Sequence, residues 1–284
     1  MITPVFISIV IPTLNEEKFL PLLLADLAKQ SYADFEVLVV DAQSEDKTIA
    51  RCQKFANSFS LKVITSQRRN VSTQRNAGAQ QAKGSWIIFM DADDRLPDYF
   101  LQGIKYQLEK HPRIDVFTCW LEANAYDGPD KPLIELTNIG LEIYSKIKPV
   151  APGALIGASR AVIEKNRFDE TLKHGEDHHF VSESIKLGFT FKILREPRFF
   201  TSLRRFKREG TLKVIRKYAQ MNLQYALGKP IPGLNPEYLM TGGSDYDEPT
   251  TEQISWFEQI RVRFSRLSKK QKDKLIEMIG SIDL

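Results

Sequence analysis

The stretch WIIFMDADDRLP, residues 86–97, decides how the chain is to be read. Trp86 to Met90 is an unbroken apolar run, the composition of a strand buried on both faces. Three acids then crowd into four positions: Asp91, Asp93 and Asp94. Like charges this close raise one another's energy, so folding alone gives little reason to gather them at a strand end. They are expected to grip something positive.

Upstream, the same pattern of apolar run and polar end recurs. FISIVIP ends in PTLNEE, FEVLVVDA in QSED, and LKVITS in QRR. Between these runs lie segments with helical spacing: EEKFLPLLLADLAKQ, EDKTIARCQKFANSF and STQRNAGAQQA. PDYFLQGIKYQLEKH follows the acidic cluster, with Pro97 suited to a first helical turn. Strands separated by helices imply βαβ units, hence an α/β fold with a mostly parallel sheet flanked by helices. In such sheets ligands bind beyond the carboxyl ends of the strands, where this chain places its distinctive polar residues.

From Ile114 the rhythm changes. VFTCWLEA reads as a strand, YDGPDKPL as a turn, and KPVAPGALIGASR as an irregular segment leading to a short strand and helix. GEDHHFVSESIKLGF reads as a helix from about Asp177, stopped by Gly188, and RFFTSLRRFKREG as a strand running into a basic cluster. A helical segment, a Pro/Gly-rich loop and a charged helical tail follow. The division expected is a catalytic domain over 1–210 and a C-terminal helical extension over 211–284.

The chain has 284 residues, enough for one sizeable core; 42% are hydrophobic and 27% charged, as in an ordinary globular protein. A net charge of +4 does not point to nucleic acid. Two cysteines, Cys52 and Cys119, make neither a disulfide framework nor a zinc site, which suits a reducing, cytoplasmic setting. The apolar N-terminal stretch lacks a basic start and a cleavage site, so it reads as the first strand. No run approaches the roughly 18 apolar residues that span a bilayer.

Each polar feature has a plain alternative. Asp41 could cap the following helix, Arg75 and Asn76 could face solvent, and Asp93 or Asp94 could cap the helix near Pro97. Glu176 and Asp177 could simply complement a helix N-terminus. The reading that unites them is a divalent cation. Asp91 and Asp93, two apart around a turn, offer hard oxygens to Mg²⁺ or Mn²⁺ and leave positions open for phosphate oxygens.

The motifs IVIPTLNEE, VVDAQSEDKT, RNAG, FMDADD and GEDHHF, in this order, resemble those of the family 2 glycosyltransferases with the GT-A fold. The resemblance runs from about Ile7 to Gly210, and TSLRRFKREG resembles a stretch of a soluble subgroup. It implies an inverting transferase taking a sugar from a nucleotide-diphosphate donor, UDP or GDP linked, to a glycan or lipid-linked acceptor of the cell-envelope kind. It implies that Pro12, Thr13 and Glu16 border the nucleoside and that Asp41 bonds the base. Arg75 would approach the base or diphosphate. Asp91 would lie near ribose and metal, and Asp93 would be the principal metal ligand. Asp177 would be the catalytic base, with Glu176 supporting it. Two departures stand out. The family's DDGS is DAQS here, with Ala42 in place of an acid. Where many members supply a late metal-binding His, this chain has Arg204 and Arg205.

Chemically, a leaving diphosphate needs positive charge, from metal and from Arg forks such as Arg204 and Arg205. An acceptor hydroxyl needs a base, the role assigned to Asp177. His178 and His179 point about 100° apart on a helix and do not both face one metal. Lys213, Arg216 and Lys217, with Leu212, Ile215 and Tyr218 nearby, would suit peripheral contact with anionic lipid on the inner membrane surface; a solvated helix packed on the domain is the plainer reading. Two other functions stay open, a nucleotidyltransferase and a non-catalytic nucleotide-sugar binder. The absence of GxGxxG after the first strand argues against a dinucleotide oxidoreductase.

Overall fold

The computed structural model describes residues 7–122, 131–147, 151, 153–172, 175–202, 204 and 243. The chain divides into two compact units. The first comprises Met1–Leu121, Pro149–Thr201 and Met240–Ser244; the second comprises Glu122–Lys148, Ser202–Leu239 and Asp245–Leu284. The expected boundary at residue 210 lies outside the described residues.

The first unit is built on strands β1 (Ile7–Thr13), β2 (Phe35–Asp41), β3 (Ser60–Thr65), β4 (Trp86–Met90), β6 (Leu155–Ser159) and β7 (Phe191–Phe200), with β5 (Val116–Glu122) ending at the unit's edge. Helices α1 (Leu20–Leu27), α2 (Thr48–Cys52), α3 (Val71–Gln81), α4 (Phe100–Lys110), α6 (Arg160–Lys165) and α7 (Glu176–Lys186) connect them, and α5 (Lys131–Ile147) belongs to the second unit. The seven-stranded sheet has the order β3-β2-β1-β4-β6-β5-β7. The pairs β1–β2, β2–β3 and β1–β4 are parallel, whereas β6 runs antiparallel to both β4 and β5. This is the expected α/β class, with the GT-A arrangement of a mostly parallel sheet.

Two features of this order place the site. The chain steps outward from β1 to β2 and β3, then returns to lay β4 on the other side of β1, so a topological switch point opens above β1 and β4. The reversed β6 pairs Leu155 with Met90, which sets Gly153 and Ala154 beside the acids that follow β4. The Asp91 N–H donates to the Ala154 carbonyl at 3.1 Å.

The core explains the near-continuous apolar strands. Every residue of β2 is buried, and so are Ile87 to Met90 of β4. Phe89 meets Phe168 edge-on at 4.9 Å, and Phe168 stacks on Phe180 at 4.3 Å, which ties α7 and its preceding loop to the sheet. Cys52 and Cys119 are both buried free thiols.

Several local expectations are corrected. The first helix starts only at Leu20, because the Glu16 and Glu17 N–H groups donate instead to Thr48 Oγ1 and Asp46 Oδ2. Pro97 does not open a helix; α4 begins at Phe100, whose N–H donates to the Pro97 carbonyl at 3.1 Å. Neither Asp93 nor Asp94 caps it, since the residue before α4 is Tyr99. The turn expected over YDGPDKPL gives way at Lys131 to the 17-residue α5, in which Ile134 and Asn138 are buried. Thr137, Asn138 and Gly140 are weak helix formers, which masks the helix in sequence.

The glycine of RNAG has a packing role. A Cβ on Gly78 would collide with the Val10 side chain and come within 3.0 Å of Val40, so α3 lies against β1 and β2 only because this residue has none. Gly78→Ala should therefore lower stability by about 1–3 kcal/mol despite alanine's better helix propensity. Urea denaturation of the two proteins measures the difference; equal midpoints would show that the helix can shift without strain.

Candidate active site

The polar ends of β1 and β2 are stitched together. The Asn15 N–H donates to Ser44 Oγ at 2.9 Å, and the Glu45 N–H donates to Asn15 Oδ1 at 2.8 Å. The Lys47 N–H donates to Glu17 Oε2 at 3.1 Å, and Arg51 Nη1 donates to the Glu17 carbonyl at 2.9 Å. Asn15 and Gln43 take positive φ, 52° and 63°, where Asn in particular is tolerated. Below them Gln74, 2% exposed, donates to the carbonyls of Thr13 and Val40 at 2.9 and 2.6 Å, strapping the last turns of β1 and β2.

Asp41 does not cap a helix. Its Oδ2 accepts the Ser44 N–H at 3.0 Å, its Oδ1 accepts the Ser44 hydroxyl at 2.5 Å, and it is buried with Thr13 and Glu16. Pro12 is half-buried, and Ala42 is buried beside Asp41. These residues share one rim of the switch point.

Arg75 joins this rim to the acids. It is 2% exposed, and its guanidinium is divided among three oxygens. Nη1 donates to Glu176 Oε1 at 3.0 Å; Nη2 donates to the Gly153 carbonyl at 2.7 Å and to Asp91 Oδ1 at 3.3 Å. The cation also lies 5.2 Å from the Phe168 ring centre. A solvated helix face is thus ruled out for Arg75. Its two terminal nitrogens are engaged by protein oxygens. Its neighbour Asn76 copies backbone pairing, donating to the Phe168 carbonyl at 2.8 Å and accepting the Phe168 N–H at 3.0 Å.

Asp177 stands at the same place. A Cβ on Gly153 would lie 2.9 Å from Asp177 Oδ2 and 3.6 Å from Arg75 Nη2, so this carboxylate fills the space above the glycine. Gly175, with φ 71°, turns the chain into α7 and aims Glu176 and Asp177 inward from its first turn. Asp177 Oδ1 accepts the His178 N–H at 2.7 Å, and His178 Nε2 lies 3.7 Å away. His179 instead faces Glu183, 3.9 Å off. Burial, reinforced by Asp177, pushes the Glu176 carboxyl up, while Arg75 pulls it down.

Behind Asp91 and Asp93, Asp94 is fully buried. Burial first, then the charges of Asp91 and Asp93, push its carboxyl well above the usual range. Its Oδ2 accepts the Asp91 N–H at 3.2 Å, and it also bonds Thr201. Beyond it, Arg95 grips Asp26 with two nitrogens at 2.5 and 2.7 Å and exchanges backbone hydrogen bonds with Phe200, which fixes the loop from both sides.

The donor set suits a divalent cation that also holds phosphate. Asp91 is 41% exposed and Asp93 half-buried, both with hard oxygens at a sheet edge. Asp91, Glu176 and Asp177 set three acids around one buried guanidinium, leaving the cleft electronegative. Among the described residues no group of three His, Cys, Asp or Glu could hold a metal. Arg204 belongs to the second unit, where its N–H donates to Ser202 Oγ at 3.3 Å. Arg205 and the basic run from Lys213 to Tyr218 lie outside the described residues. Among those described, no helix is long and apolar enough to cross a membrane.

Residues missing from the sequence reading are Gly153, Gln74, Phe168 and Asp94's buried carboxyl. Gln74, Asp94 and Gly153 sat inside quoted stretches, but Gly153 and Phe168 act through a carbonyl and a ring face that no spacing announces.

The pairing of Arg75 and Glu176 yields a test of the centre. Arg75→Ala leaves a buried carboxylate without its cation and should cost about 3–5 kcal/mol. In that variant the Glu176 carboxyl rises further. A group whose folded pKa is raised supports stability at low pH and loses that support as pH climbs past the ordinary glutamate range, about 4.3. Arg75→Ala should accordingly weaken steeply with rising pH in urea melts. Arg75→Ala/Glu176→Gln should recover at least half the loss and flatten the slope; parallel curves for both variants would refute the pairing.

Comparison with known proteins matches residues 8–168 to the family model Glycosyl transferase family 2. The chain is 26% identical over 209 residues to poly(ribitol-phosphate) beta-N-acetylglucosaminyltransferase TarS of Staphylococcus aureus, covering 72% of this chain and 36% of that one, so it spans about a third of that relative's length. The structure of S. aureus TarS 1-349 in complex with UDP-GlcNAc superposes with a TM-score of 0.57 at 22% identity, covering 78% of this chain and 71% of that one. The mannosyltransferase PcManGT of Pyrobaculum calidifontis, in complex with GDP-Man and Mn²⁺, gives 0.64 at 18% identity, covering 80% and 64%.

Proposed function

The chain belongs to glycosyl transferase family 2, and from that premise we propose that it moves a sugar from a nucleotide-diphosphate donor to an acceptor hydroxyl by metal-assisted, inverting displacement. One observation carries the reading. Arg75 bonds Asp91, at the end of β4, Glu176, at the start of α7, and the carbonyl of Gly153, over which Asp177 stands, so an acid suited to a metal and the acid suited to a base share one centre.

Each residue then has a task. Asp93 and Asp91 would hold Mn²⁺ or Mg²⁺, which when bound supplies positive charge to the leaving diphosphate. Asp177, standing over Gly153, takes the acceptor's proton as its oxygen attacks the anomeric carbon. One attack from the face opposite the leaving group inverts the configuration. Glu176, tethered to Arg75, holds the first turn of α7 in register with the β4 end. Pro12, Thr13, Glu16 and Asp41 form the nucleoside rim. Arg204 and Arg205 would neutralise the charge that develops on the leaving diphosphate. That relatives bind UDP-GlcNAc or GDP-Man, and that one acts on poly(ribitol-phosphate), supports a UDP- or GDP-linked donor and a cell-envelope glycan or lipid-linked acceptor. The basic segment past Gly210, with Lys213, Arg216 and Lys217, would meet the inner membrane surface, with the enzyme cytoplasmic.

Thermal shift with UDP, GDP, CDP and dTDP, each with and without Mn²⁺, identifies the nucleotide. A nucleotide at 100 times its Kd should add about 2.7 kcal/mol. Asp93→Ala should abolish the Mn²⁺-dependent part of that gain; an undiminished gain would remove Asp93 as ligand. Asp177→Asn should bind the nucleotide within about threefold of the parent while transfer falls roughly 100-fold or more. Full turnover by that variant would remove Asp177 as the base.

A further inference from the structure

Gly243 reaches the switch point from more than two hundred residues away in sequence. It is buried and belongs to the first unit, and its N–H donates to the Leu14 carbonyl at 2.9 Å, just past the end of β1. Its α-carbon lies directly against the Glu16 carboxylate. A Cβ added there would overlap Glu16 Oε1, Oε2 and Cδ together. Glu16 is itself only 9% exposed, and its backbone N–H is tied to Thr48 Oγ1 at 2.8 Å, so the residue can escape only by swinging its carboxyl group.

We propose that Gly243 is a positioning residue for nucleoside recognition: lacking a side chain, it fixes where the Glu16 carboxylate stands at the mouth of β1. This inference rests on the nucleotide-sugar reading above and deepens it by adding a residue from outside the segment matched to the family. The obstructing atoms are the end of a flexible side chain, so a methyl group at 243 displaces an acceptor of hydrogen bonds rather than the backbone. A carboxylate there accepts from hydroxyl or N–H groups, which a nucleoside presents in its ribose and base. Moving it by the width of a methyl group breaks a bond whose geometry tolerates only a few tenths of an ångström.

Calorimetric titration of UDP and GDP with Mn²⁺ into the full chain tests this with Gly243→Ala, Glu16→Ala and the double variant. Gly243→Ala should raise Kd for the preferred nucleotide at least fivefold, whereas Glu16→Ala and the double variant should share one Kd. That non-additivity is what a general loosening of structure would not produce. A Kd for Gly243→Ala within twofold of the parent overturns the inference, and so does a further loss on adding Gly243→Ala to Glu16→Ala. If Gly243→Ala alone fails to fold, the Glu16→Ala pair still decides, since that background removes the overlap. A parent chain that binds neither UDP, GDP, CDP nor dTDP overturns the function proposed above and this inference with it; a parent that binds normally beside an indifferent Gly243→Ala overturns this inference alone.

Discussion

A single buried guanidinium organises this protein's cleft. Taking a guanidinium out of water is costly unless acceptors meet it. The three it finds come from the ends of β4, β6 and α7, which are remote from one another in sequence. The demand for satisfaction therefore works as a geometric instruction: the acid after β4 and the acid opening α7 must both come to the same side chain. Phe168 closes the remaining face with its ring, and the Phe168–Phe180 stack carries that constraint into the core.

Around this centre the electrostatics are graded by burial. Asp94, fully enclosed, has its carboxyl pushed up by burial and accepts the N–H of Asp91, steadying the turn that bears it. Asp91 and Asp93 are both partly exposed, where charge is sustainable. A run of acids that looks uniformly repulsive on paper is thereby split between one buried structural group and two groups with oxygens to offer a ligand.

The sheet was legible because parallel strands buried on both faces are long apolar runs ended by polar residues, and β1, β2 and β4 follow that rule closely. The acids at the β4 end and at the start of α7 were legible for the same reason, being charges where folding does not require them. Arg75 was legible as a residue of interest but its burial was not, because exposure depends on what closes over a helix, here Phe168 and Gly153. Helix ends were misjudged where side chains of one loop took the backbone donors of another, as with Glu16 and Glu17. Partners that act through a carbonyl, such as Gly153, or through the lack of a side chain, such as Gly243, leave no mark in a pattern of residue types.

The cross-stitching of the β1 and β2 loops has a consequence for selectivity. Asn15, Ser44, Asp46, Glu17 and Thr48 hold one another's backbone groups before any small molecule arrives. A rim already frozen loses little entropy on association, so discrimination there resembles a rigid template more than a closing hand. Changes of preference during evolution would then come from swapping single groups on a fixed frame, as Ala42 beside Asp41 illustrates, and not from reshaping the loops themselves.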